Sequence, residues 1–134
     1  MDRVFLDANV LYAAAFRQGS PLRRLWQLSD VELWTSEYAA AQALGNLSQD
    51  RPDRVAEFHR LISVMRVTAQ DTSAVVLPGG VSLAVKDRPV LLGAIQSQAH
   101  YLVTGDKTHF GPYFGQVVGG VRILRPAQYL ASFR

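Results

Sequence analysis

The chain of 134 residues has no cysteine. That absence excludes a disulfide scaffold, a thiolate zinc site and a cysteine nucleophile together. No stretch approaches the roughly eighteen apolar residues that a membrane-spanning helix needs. The apolar N-terminal segment from Val4 to Phe16 is broken by Asp7 and Asn9, which argues against a signal peptide. A cytoplasmic location without membrane contact is therefore expected. Charge is sparse, at 19%, and hydrophobic residues make up 49%, so the chain can bury a core and is not intrinsically disordered. Neither sign dominates: 14 Lys and Arg face 11 Asp and Glu, for a net charge of +3. A pI near 9.6 is compatible with a nucleic-acid partner but does not require one. Internal repeats, low-complexity segments and dividing linkers are also missing, so residues 1–134 read as one domain. Neither glycine fingerprint for phosphate nor a serine nucleophile elbow occurs.

What is present alternates between strand and helix. The short apolar run Arg3 to Asp7 reads as a buried strand, and Asp7 caps a helix from Ala8 to Phe16. Ser20 and Pro21 start another helix, and Val31 to Trp34 is a brief strand. Thr35 and Ser36 open a helix from Glu37 to Ser48, and Asp53 is placed to cap one running to Val64. Residues 65–68 and 74–77 read as strand-like or irregular, and Pro78-Gly79-Gly80 as a turn. A helix from Lys86 to about Ala99 leads to a strand at Tyr101 to Thr104. A strand at Val121 to Leu124 and a helix from Ala127 to Phe133 complete the order. Such alternation predicts an α/β fold with a central, mainly parallel twisted sheet between two helical layers.

In that architecture ligands bind beyond the carboxyl ends of the strands. Asp7 and Asp106 follow predicted strands, and Asp87 opens the helix that feeds the second of them. Convergent carboxylates repel one another unless a cation neutralises them, and Mg²⁺ or Mn²⁺ favours such oxygen donors. One or two divalent ions there suit phosphodiester hydrolysis. Each aspartate also has a plainer role open to it, because aspartate is a favoured helix N-cap. The two roles are compatible, since a cap uses one carboxylate oxygen and leaves the other.

These residues carry a family resemblance. Phe5-Leu-Asp-Ala-Asn-Val-Leu11 resembles the opening strand of PIN-domain nucleases, and Tyr101-Leu-Val-Thr-Gly-Asp-Lys107 their most specific acidic segment. Val85-Lys-Asp-Arg-Pro-Val-Leu91 resembles the acidic segment before it. Gly19-Ser-Pro-Leu-Arg-Arg-Leu25 and Gly120-Val-Arg-Ile-Leu-Arg-Pro-Ala-Gln-Tyr-Leu130 are similar to the VapC-like bacterial toxin branch. The resemblance spans essentially the whole chain and implies a PIN-like three-layer α/β/α sandwich. It further implies an Mg²⁺- or Mn²⁺-dependent endoribonuclease acting on RNA, a homodimer, and an antitoxin partner in a toxin–antitoxin pair. Asp7, Asp87 and Asp106 match the metal-ligating acids, and Thr104 matches a position that supports them. Asn9, beside the first acid, is a candidate to orient it and to bind substrate, with a helix-start hydrogen bond as its plainer role, and Lys107 is a candidate phosphate contact.

One position departs from that pattern. The family places a glutamate where Ser36-Glu-Tyr-Ala-Ala-Ala-Gln-Ala-Leu-Gly-Asn-Leu47 has Gln42. Glutamine keeps an acceptor oxygen but brings no charge and cannot act as a base. Glu37 lies about 140° around the helix and does not replace it. A second reading follows, in which the chain is a weakened or inactive RNA- or protein-binding module. A phosphorylatable receiver domain has similar alternation, but Asp7 lacks the acidic neighbour that such a site wants. His59, His100 and His109 share no metal-like spacing and are expected at the surface or in the core, with the alternative for His109, three residues after Asp106, that it approaches the site. Trp26 and Trp34 suit core or dimer packing, and Tyr113 and Phe114 either stack on a base or cover the edge of the core.

Overall fold

The strand β1, Asp2–Leu6, starts with the half-buried Asp2 and Arg3 and runs into Val4, Phe5 and Leu6, which are fully buried because both faces of the strand are covered there. Val4 and Leu6 point into one core, and Phe5 points into the other, the alternation that a pleated strand imposes. The computed structural model describes residues 1–69 and 75–132. β1 is followed by α1, Ala8–Phe16, then by a seven-residue 3₁₀ turn, Pro21–Gln27. β2, Val31–Ser36, leads into α2, Glu37–Asp50. α3, Val55–Ile62, and β3, Arg66–Thr68, follow. The second half contains α4, Arg88–Gln96, β4, Tyr101–Val103, and the short α5, Lys107–Phe110. It ends with β5, Val117–Val118, β6, Val121–Leu124, and α6, Pro126–Ala131.

The six strands are ordered β3-β2-β1-β4-β6-β5. Every pairing is parallel except the antiparallel contact between β5 and β6. One apolar core packs α1, α2 and α3 residues, among them Leu11, Leu47 and Phe58, on one sheet face. The other packs Leu91 and Ala94 of α4 with Phe110 on the opposite face. Gly93 permits that closeness, since a β-carbon there would stand 3.2 Å from the Phe5 ring. This is the predicted three-layer arrangement.

Capping explains most element boundaries. Asp7 Oδ1 accepts from Ala8 N–H and starts α1, and Ser36 Oγ accepts from Ala39 N–H and starts α2. The carbonyls of Ala14 and Ala15, late in α1, accept from Arg23 and Arg54 side chains, satisfying groups a helix end leaves open. Arg23 reaches on to Glu57 at 2.7 Å, tying α3 to the same corner.

Several expectations are corrected. Ser20 does cap, accepting from Leu22 N–H, but the helix it starts is 3₁₀ rather than α. Asp53 caps nothing and instead pairs with Arg51 at 3.0 Å, while α3 starts without a side-chain cap. The α2 helix continues two residues past Ser48. The 74–77 stretch falls partly outside the described residues, and its described part, 75–77, is not a strand. Phe133, the expected last residue of the final helix, also lies outside them. The two-residue strand β5 was not expected. It exists because Gly119 and Gly120, with φ of 58° and 84°, make a tight reversal into β6.

Candidate metal centre

β1 and β4 are neighbours in the sheet, and the chain leaves their carboxyl ends in different directions. That divergence opens a crevice at the strand ends. A cavity of about 270 Å³ lies there, lined among others by Asp7, Asn9, Gln42, Asp87 and Asp106. The sequence places these residues far apart, and the sheet brings them together.

The first and last aspartates divide their oxygens between two tasks. Asp7 Oδ1 caps α1, while Oδ2 accepts from Thr104 Oγ1 at 2.8 Å and from Asn9 Nδ2 at 3.4 Å. Asp106 Oδ1 caps α5 by accepting from the N–H groups of Thr108 and His109, both at 3.1 Å. Its Oδ2 lies 2.8 Å from His109 Nδ1. Asp87 is different. It occupies the N-cap position of α4 yet makes no capping hydrogen bond. Its Oδ2 is buried with no hydrogen-bond partner among the described residues, and His109 Nδ1 stands 3.3 Å away.

Thr104 ties these groups together. It is fully buried, and Oγ1 also accepts from Asp106 N–H at 3.1 Å. Asn9 completes the link, because its Oδ1 accepts from Gly105 N–H at 3.0 Å. The electrostatics follow from burial. Burial raises the Asp7 carboxyl above the ordinary range, and the charges of Asp87 and Asp106 add to it. Hydrogen bonds from Thr104 and Ala8 offset only part of that rise. Burial acts in the same direction on Asp106, but hydrogen bonds from His109 and Thr108 and the attraction of the His109 ring outweigh it. Asp106 is held below the usual carboxylate range.

This donor set fits a hard divalent cation. Asp7, Asp87 and Asp106 line the same cavity, and a buried oxygen with no hydrogen-bond partner among the described residues, as Asp87 Oδ2 is, is costly unless something neutralises it. One ligand atom each from Asp87, Asp106 and His109 lies within 4.8 Å of the others.

No family model matches the chain, and neither does any curated protein sequence. Solved structures do. VapBC2 from Rickettsia felis, bound to a DNA fragment from its promoter, superposes with a TM-score of 0.70 at 12% identity. The match covers 92% of this chain and 98% of that one. VapC20 of Mycobacterium tuberculosis, a toxin that cleaves the sarcin–ricin loop, gives 0.61 at 16% identity over 86% and 98%. VapBC-1 of nontypeable Haemophilus influenzae gives 0.59 at 12% identity over 93% and 98%. This is a VapC-like PIN fold.

Within the PIN fold, Asp7, Asn9, Gln42, Asp87 and Asp106 line one cavity, and Thr104 braces it from beneath. Lys107 is exposed and is not among the residues lining that cavity; the lysine that lines it is Lys86. Glu37 is exposed in the first turn of α2, where its charge suits the helix dipole. Tyr113 and Phe114 pack against the second core. His109 takes the alternative role rather than the preferred surface or core one, since its ring enters the acidic cluster. Asn46 and Asp50 were missed. They follow Gln42 at i+4 and i+8, so one face of α2 carries all three into the cavity wall. Asp50 accepts from Tyr12 Oη at 2.7 Å and raises the Tyr12 hydroxyl above its ordinary value. The helical period was the available signal for both residues.

Proposed function

We propose that this chain is a divalent-metal-dependent endoribonuclease and the toxin of a toxin–antitoxin pair. The observation that carries the reading is the oxygen arrangement at the strand ends. Asp7 and Asp106 each turn one oxygen away from capping, and Asp87 keeps a buried oxygen with no hydrogen-bond partner among the described residues, 3.3 Å from His109 Nδ1. Asp7, Asp87 and Asp106 would hold Mg²⁺ or Mn²⁺, which when bound supplies the charge and Lewis acidity that RNA phosphodiester hydrolysis needs. Thr104 and Asn9 fix the orientation of Asp7. Lys86 attracts the phosphate backbone, and the Gln42 and Asn46 amides offer hydrogen bonds to the ribose and phosphate groups. Two further features of the reading are a homodimer and a cytoplasmic setting. No helix among the described residues is long and apolar enough to cross a membrane. The antitoxin partner is supported by the neighbours, since the VapBC2 structure is bound to a DNA fragment from its promoter.

Gln42 favours a second reading, a PIN-fold binding module with little or no turnover, because it removes a charge from the cavity. A fluorogenic RNA assay with Mn²⁺, Mg²⁺ or EDTA separates the two. The nuclease reading expects metal-dependent cleavage that Asp7→Asn abolishes while the far-ultraviolet circular dichroism stays unchanged. RNA binding by the wild type without cleavage, with cleavage gained in Gln42→Glu, supports the binding module instead.

A further inference from the structure

We propose that His109 is itself a ligand of the divalent cation and that its nitrogen tilts the site toward Mn²⁺ over Mg²⁺. The inference rests on the metal-site reading above and adds a donor to it. His109 lies two residues into α5, whose N-cap is Asp106. The cap bonds its backbone N–H to Asp106 Oδ1, and the ring turns back over the same carboxylate. Nδ1 therefore stands between two carboxylate oxygens, 2.8 Å from Asp106 Oδ2 and 3.3 Å from Asp87 Oδ2. Two ligands at right angles around an ion of this size are about 3 Å apart, given bonds of about 2.1 Å. The two spacings match neighbouring corners of one coordination shell.

The second observation is independent of that geometry. Asp87 is 9% exposed, and its Oδ2 is aimed into the cluster with no hydrogen-bond donor among the described residues. A histidine serving only to neutralise the pair would be expected to satisfy that oxygen, and His109 bonds Asp106 instead. An atom of opposite charge that bonds both carboxylates and Nδ1 at once resolves the arrangement. The donor chemistry then sets the preference. Mg²⁺ holds strongly to oxygen ligands and water, whereas Mn²⁺, which also favours oxygen, accepts one imidazole nitrogen in its shell more readily as a first-row transition ion. Gln42 removes a carboxylate from the wall and His109 adds a nitrogen, so both changes move the site away from an all-carboxylate magnesium cage.

The test uses the whole chain and Mn²⁺ alone. Electron spin-echo spectroscopy of bound Mn²⁺ reads the coupling of a coordinated imidazole ¹⁴N, and competitive titration reads Mn²⁺ against Mg²⁺. The wild type is expected to show nitrogen coupling that His109→Ala lacks. In the same variant Mn²⁺ affinity is expected to fall roughly tenfold or more, with Mg²⁺ affinity changing less. Asp87→Asn is expected to lose the bound ion. Mn²⁺ bound without nitrogen coupling overturns the role of His109 and leaves the carboxylate site standing. Failure of the wild type to bind Mn²⁺, or equal binding by Asp87→Asn, overturns the ligand assignment and the metal-site reading together. Because the coupling is read on the wild type, the test stands even if a variant folds poorly.

Discussion

Replacing Thr104 with valine keeps the buried shape and removes the hydroxyl that joins β1 to the loop after β4. Thr104 is fully buried. Its Oγ1 donates to Asp7 Oδ2 at 2.8 Å and accepts from Asp106 N–H at 3.1 Å and Asn9 Nδ2 at 3.3 Å. A hydrogen bond to a charged group contributes about 1.5–3 kcal/mol, and a buried N–H left without an acceptor costs about 1–3 kcal/mol. Asp106 N–H is only partly buried, so the lower part of that range applies. The expected loss is about 3 kcal/mol, measured by urea unfolding near pH 7.5 with EDTA present. Thr104→Ser retains the hydroxyl and deletes one buried methyl, for a loss of about 1 kcal/mol.

The pH dependence checks the cause. Burial holds the Asp7 carboxyl above the ordinary range, so the protonated form favours the folded state. That contribution is complete below the ordinary carboxyl value and is lost as pH rises through the folded value. The Thr104 hydroxyl pulls the folded value down and so limits the loss. Valine at 104 should push Asp7 further up, making the variant's deficit larger near pH 7.5 than near pH 5. A deficit below about 1 kcal/mol, or one equal to that of Thr104→Ser at both values, would refute the bridging role.

Two further expectations concern the scaffold. Leu47 is fully buried on the inner face of α2, so Leu47→Ala should cost about 2–5 kcal/mol in chemical denaturation; a loss below about 1 kcal/mol would contradict the packing. Burial, and then the hydrogen bond to Asp2 Oδ2, pushes the Tyr129 hydroxyl well above its ordinary value. Stability from this group is whole below about pH 10 and is lost as pH rises toward the folded value. Tyr129→Phe should therefore flatten the alkaline decline in stability, and identical slopes in the two proteins would reject that cause.

The sheet and the helix caps were legible because local chemistry specifies them. The apolar run Val4 to Leu6 of β1, ended by Asp7, and the Ser36 cap of α2 each depend on residues a few positions apart. The bounds of α1 and β6 coincide with those expected from the pattern. Asp53 misled because an aspartate beside an arginine has a competing local partner, and Arg51 takes it. The strand β5 escaped notice because two residues show no period, and only pairing with β6 makes them a strand.

For the candidate site, the chain alone supplied the identities of Asp7, Asp87 and Asp106 and the missing charge at Gln42. It could not decide how their oxygens are spent. The bond between Thr104 and Asp7 joins positions 97 residues apart, and it forms only because β4 lies beside β1. Whether an N-terminal aspartate caps its helix depends on side-chain orientation, and on that ground Asp7 and Asp106 differ from Asp87. His109 showed no metal-like spacing because its partners gather around it from two different segments. Sequence fixes which donors the chain carries; the tertiary structure decides which of them meet, because parallel sheet neighbours are distant along the chain.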